Sequence, residues 1–158
     1  MTSLSNEDRN NMIDIYFEKA VTSLSSAILL FELNDYNGAA NRAYYSVFQA
    51  ASALLLTKNI ERYSHKHVHR AIFEEFAESG KIPRDFDITI KKIEAMRTTG
   101  DYSKIKSVTK EEIGESISEA KAFLNNTKKL IVDFKLEQNI NSLKENKAEK
   151  TAAHENEI

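Results

Sequence analysis

The chain has 158 residues, of which 41% are hydrophobic and 29% charged, with a formal net charge of -2. That balance fits one soluble globular domain and excludes a disordered chain; the weak negative charge excludes nucleic-acid binding through a dense basic face. The absence of cysteine rules out disulfides, thiolate metal sites and a cysteine nucleophile. With four glycines and one proline, nearly every segment can continue a helix, so the fold class is all-α.

Ser5-Asn6-Glu7-Asp8 reads as a helix start, with Ser5 as cap and acids in the first turn. Met12, Ile13, Tyr16, Ala20, Leu24, Ala27, Ile28 and Phe31 then recur at three and four, predicting a first helix to about Leu33. Asn34 to Gly38 carries turn chemistry. A second helix from about Tyr36 to Thr57 is rich in alanine at positions 39, 40, 43, 50, 51 and 53. Small side chains permit close approach, which marks it as the central helix of a bundle.

Lys58 to Tyr63 reads as a loop, Ser64 as the cap of a third helix, and Gly80 as that helix's end. Pro83 suits the first turn of a fourth helix carrying Phe86, Ile90, Ile93 and Met96. That helix is expected to end within Arg97-Thr98-Thr99-Gly100-Asp101-Tyr102, with Gly100 taking the left-handed capping position and Arg97 offsetting the negative helix end. Thr109 and Glu112 form a capping box opening a fifth helix, whose apolar face runs from Ile113 to Phe134. Residues 1–135 are thus read as the domain, and 136–158 as a polar tail, frayed or disordered.

Charge is unevenly placed. Residues 1–35 hold six acids against two bases, whereas residues 62–106 hold ten bases against seven acids. The excess of bases surrounds the Arg97 turn. A helix end needs only the glycine, so Asp101 and Tyr102 are left over, and the turn is a candidate polar site. Arg42, beside Tyr44 and Tyr45, either pairs with an acid of the first helix or serves a ligand. His65, His67 and His69 invite a metal reading, but His67 points away from the other two on a helix and no HExxH pattern or cysteine completes a zinc site. No metal and no cofactor is called for. The N-terminus lacks signal-peptide character and no apolar run reaches membrane length, which predicts a cytoplasmic chain.

The segment AANRAYYSVFQAASALL, the Ser64-His65-Lys66 helix start, the glycine-ended FEEFAESG and the R-x-x-x-D-Y turn together resemble the HEPN family (higher eukaryotes and prokaryotes nucleotide-binding domain), in its short stand-alone prokaryotic form. The resemblance covers about residues 10–134. It implies an up-and-down bundle of four to five helices pairing as a symmetric dimer. It further implies a metal-independent endoribonuclease site built on an arginine followed four to six residues later by a histidine, in a toxin accompanied by a minimal nucleotidyltransferase antitoxin.

Arg97 matches the family arginine. Five residues later stands Tyr102, and no histidine occurs between Arg97 and His154. A phenol moves protons poorly near neutral pH. Two substitutes are open: His65 approaches the Arg97 turn in space and serves as base, or Tyr102 accepts a nucleotide from a partner enzyme. The candidate catalytic residues are therefore Arg97, Asp101, Tyr102 and His65, and the candidate nucleotide- or RNA-binding residues are Arg42, Tyr45 and Lys66. The rival expectation is a non-catalytic subunit that binds a nucleotide or a nucleotidyltransferase.

Overall fold

A computed structural model describes residues 4–61, 64–104 and 106–157. Arg62 and Tyr63, part of the expected loop, lie outside the described residues. The described residues form an all-α bundle of five helices: α1 (Asn6–Glu32), α2 (Tyr36–Leu56), α3 (His65–Ile72), α4 (Phe86–Tyr102) and α5 (Lys110–Asn156). No helix among them is long and apolar enough to cross a membrane.

The starts of these helices follow from their caps. Ser5 accepts from the Asp8 N–H at 3.0 Å, Asp35 from Gly38 at 2.9 Å and Ser64 from His67 at 3.3 Å. Thr109 and Glu112 satisfy each other's backbone N–H groups in a complete capping box. Each cap supplies an acceptor to an otherwise orphaned donor of the first turn, contributing about 1 kcal/mol.

α2 packs against all four other helices. Its alanines at 39, 40, 43, 50, 51 and 53 are at most 1% exposed, so backbones approach closely and larger side chains fill the space around them. One core cluster gathers Tyr44, Val47, Leu54, Ile72, Ile90 and Ile93, with Phe86 stacked on Phe123 at 4.2 Å between ring centres. A second joins the start of α2 to Val108 and Ile113, and a third joins Ile13, Ala53, Leu56 and Ile131.

Three local expectations are corrected. α3 changes at Phe73 into one π-helical turn, Phe73–Ala77, closed by the Glu78 N–H donating to the Phe73 carbonyl at 3.0 Å. The wider turn brings both Phe76 and Ala77 inward before Gly80 adopts φ +76. Pro83 is not helical: its carbonyl accepts from the Phe86 N–H at 3.1 Å, and this turn places the buried Ile82 and Phe86 on the core before α4 begins.

The third correction concerns Gly100. α4 runs through it to Tyr102 and ends at Ser103 in extended backbone, so Gly100 is not a left-handed cap. Its role is proximity. A Cβ at Gly100 would lie 3.2 Å from Asn37 Cα, so the missing side chain lets the end of α4 ride against the start of α2. Beyond Ile131 no residue of α5 is buried, and from residue 141 every described residue is exposed, although the helix continues to Asn156.

Candidate active site

Because α2 and α4 approach so closely at Gly100, side chains from the two helices interleave just above it. Arg97 lies on the inner face of α4, and its guanidinium stands 5.5 Å from the Tyr44 ring centre, 5.6 Å from Tyr45 and 5.8 Å from Tyr102. Three aromatic rings therefore surround one cation, each contact attractive by about 0.5–2 kcal/mol. One guanidinium N–H also donates to the Tyr45 hydroxyl at 3.4 Å.

Asp101, one turn along α4, pairs with Arg97 Nε at 3.3 Å. The same carboxylate oxygen accepts from Asn41 Nδ2 of α2 at 2.8 Å. The aspartate thus ties the arginine to both helices. Tyr102 is 68% exposed, so its hydroxyl is open to solvent beside the cation.

His65 enters from the first turn of α3. Its Nδ1 bonds the Tyr44 hydroxyl, and its ring stacks on Phe48 at 4.3 Å and meets the Tyr45 ring edge-on at 6.2 Å. Arg97 and His65 therefore converge on the same two tyrosines. Burial, reinforced by the positive charge of Arg97, lowers the His65 pKa below the ordinary imidazole value, partly countered by Glu94. That keeps the ring neutral near pH 7, the form in which an imidazole accepts a proton.

Arg42 does not take an acid of α1. Among the described residues it makes no ion pair, and its guanidinium lies 5.3 Å from the Tyr45 ring centre instead. Tyr45 is consequently shared by two arginines. Lys66 is exposed and lines a neighbouring cleft of about 410 Å³ with His69, Arg70, Phe73, Asp87, Lys91 and Glu94. Of the seven candidate residues, Arg97, Asp101, Tyr102, Tyr45, Arg42 and His65 meet in one cluster, and Lys66 stands beside it.

Four participants were not among the candidates. Tyr44 is fully buried, and its hydroxyl also faces His69 Nε2 at 3.4 Å. Burial, with help from Glu94, holds its phenol far above the ordinary range, so it keeps its proton. His69 Nδ1 lies 3.5 Å from Glu94 Oε2, and burial lowers the His69 pKa. Asn41 holds Asp101. The sequence signal for Glu94 was its spacing: Glu94, Arg97 and Asp101 fall three and four apart, on one face of α4. His65 and His69 both meet the Tyr44 hydroxyl, with the other nitrogen of His69 toward Glu94, whereas His67 turns away to Ser64 at 2.8 Å. Among the described residues no group of three or more His, Cys, Asp or Glu side chains is placed to hold a metal ion.

Residues 13–130 match the family model described as HEPN domain. A "UPF0332 protein" of Thermotoga maritima is 31% identical over 128 residues, covering 81% of this chain and 97% of the relative. Two proteins of Methanocaldococcus jannaschii, each named "Putative toxin", are 37% and 33% identical, covering 85% and 73% of this chain and 99% and 78% of their own lengths. The matched span contains α2, α3 and α4 with the whole Arg97 cluster, and the chain belongs to the HEPN domain family.

Proposed function

We propose that this chain is a toxin-type HEPN protein that cleaves RNA without a metal ion, using His65 in place of the histidine that its Arg97 motif lacks. The observation that carries this reading is the convergence of Arg97 and His65 on Tyr44 and Tyr45. It places a neutral base and a fixed cation on one pair of rings, although the two residues are 32 positions apart in sequence. The toxin names of the two Methanocaldococcus relatives support the same reading.

In this mechanism His65 removes the proton from a ribose 2′-hydroxyl, whose oxygen bonds the adjacent phosphorus. The bond from phosphorus to the 5′-oxygen breaks, and that oxygen takes a proton from water. Arg97 stabilises the negative charge that grows on the phosphoryl oxygens, and Asp101 holds it in place. Arg42 and Tyr45 contact the neighbouring nucleotide by charge and stacking, and Lys66 contacts the backbone. Two copies of the chain form the working unit, and a minimal nucleotidyltransferase is the antitoxin.

The test is decay of RNA by the purified chain in the presence of a chelator, read for 2′,3′-cyclic phosphate ends. Wild type cleaves and Arg97→Ala does not. Equal survival of RNA with both proteins sinks the ribonuclease reading.

A second reading has its own support in the exposure of Tyr102. An accessible phenol 5.8 Å from a guanidinium suits a nucleotidyl acceptor, since the cation attracts the incoming phosphates. On this reading the chain is a non-catalytic subunit held by its nucleotidyltransferase partner. Expression without growth arrest, together with nucleotide transfer that Tyr102→Phe abolishes, would favour it.

A further inference from the structure

Glu94, His69, Tyr44 and His65 form one continuous line of hydrogen-bonding groups. Glu94 Oε2 lies 3.5 Å from His69 Nδ1, His69 Nε2 lies 3.4 Å from the Tyr44 hydroxyl, and that hydroxyl bonds His65 Nδ1. The two long separations are of the kind that tighten when substrate binds. The line begins on α4, crosses α3 and α2, and ends on α3 beside Arg97.

One end of this line is chemically fixed. An ionised carboxylate only accepts, so the His69 proton sits on Nδ1 facing Glu94 and leaves Nε2 bare. The bare Nε2 accepts the single proton of Tyr44. The Tyr44 oxygen then accepts from His65, whose proton must sit on Nδ1. A neutral imidazole carries one ring proton, so His65 Nε2 is left with a free lone pair. The reverse sense of the line would set a histidine lone pair against a carboxylate.

We propose that Glu94, His69 and Tyr44 are positioning residues that fix His65 in the tautomer with a bare Nε2, making that atom the proton acceptor of the site. The proposal rests on the ribonuclease reading for the identity of the proton, which is that of the ribose 2′-hydroxyl. Glu94 thereby has a use that lies outside the Arg97 motif. Transfer to Nε2 gives an imidazolium whose Nδ1–H still points along the line toward the carboxylate, which stabilises the new charge. The groups facing His65 allow this: Tyr44, Tyr45 and Phe48 from α2, with Arg97 and Glu94 as the charges from α4. The three members beyond Glu94 are neutral near pH 7, because burial lowers both imidazoles and raises the phenol.

The experiment is nitrogen NMR of the full chain with ¹⁵N-labelled histidine above the imidazole titration, on wild type, Glu94→Gln and Tyr44→Phe, with RNA cleavage measured on the same samples. Wild-type His65 is expected to show a protonated Nδ1 and a bare Nε2. Glu94→Gln replaces an obligate acceptor by an amide that also donates, so the line can reverse and His65 acquires an Nε2–H population. Tyr44→Phe cuts the line while keeping the shape of a fully buried ring, with the same loss of a fixed tautomer. In both variants kcat falls about tenfold to a hundredfold with KM unchanged.

A wild-type His65 carrying its proton on Nε2 overturns the proposal even when RNA is cleaved. So does a tautomer unchanged in Glu94→Gln and Tyr44→Phe. The expected tautomer pattern with no cleavage by any sample overturns the catalytic use and the ribonuclease reading, while the orienting line itself stands.

Discussion

Arg97 and Asp101 stand one helical turn apart on α4, paired at 3.3 Å, and Asn41 of α2 donates to the same aspartate oxygen at 2.8 Å. The pair contributes little to folding, since partly exposed ion pairs are worth about 0–1 kcal/mol. Its effect is on the direction of the guanidinium. Asp101→Asn is therefore expected to leave the thermal midpoint nearly unchanged while RNA cleavage falls about tenfold to a hundredfold. A circular-dichroism melt beside a cleavage assay checks this. A large loss of stability with normal activity would contradict it.

Stability should fall as pH drops below about 6.5, the value at which unfolded histidines take up protons. His65 and His69 both have lowered pKa values in the folded chain, so between that pH and their folded values the unfolded state binds more protons. Their contribution is fully present above 6.5 and is lost on acidification. Glu119, whose pKa burial raises, acts in the opposite sense at lower pH. Urea midpoints at pH 7.5 and 5.5 for wild type and His69→Gln separate the imidazole part: the variant should show the shallower dependence.

Gly100→Val should destabilise the bundle by about 2 kcal/mol, because the added atoms meet Asn37 Cα at 3.2 Å, where the neighbour is backbone and cannot rotate away. The same change displaces Asp101 from Asn41. Loss of activity in Gly100→Val with an unchanged urea midpoint would show that the contact is looser than the geometry implies.

The helices were legible because their signals are local. Ser5, Ser64, Thr109 and Glu112 announce helix starts within four residues, and the alanines of α2 mark the central helix by composition alone. Gly100 was misread for the same reason. A local rule makes a glycine near a helix end a cap, whereas its use here depends on Asn37, far away in sequence. The site followed the same division. Arg97, Asp101 and Tyr102 share a turn and could be named together, and His65 could be offered from its place at a helix start. Tyr44 carried no such local signal, because its role depends on α3 and α4 delivering His65, His69 and Arg97 onto it from distant positions in the sequence.

Truncation after Lys135 should preserve the fold, which would fix residues 1–135 as the folding unit. The described residues among those removed contribute no buried side chain, and the loss includes one bond, from Asn10 Nδ2 to Gln138 at 3.0 Å. The thermal midpoint should shift by less than about 4 °C, corresponding to under roughly 1 kcal/mol. Unfolding of the truncated chain would move the boundary into the tail.

The bare end of α5 also governs how the molecule diffuses. From Asn141 to Asn156, where every residue is exposed, the helix extends about 24 Å at 1.5 Å per residue, against a radius of gyration near 14 Å for a bundle of 135 residues. A particle with such a rod tumbles anisotropically and has a Stokes radius above that of a sphere of its 18.0 kDa. In gel filtration one copy would elute early and imitate two. The number of chains in the working unit is therefore a matter for light scattering or sedimentation equilibrium, which weigh the particle and are blind to its shape.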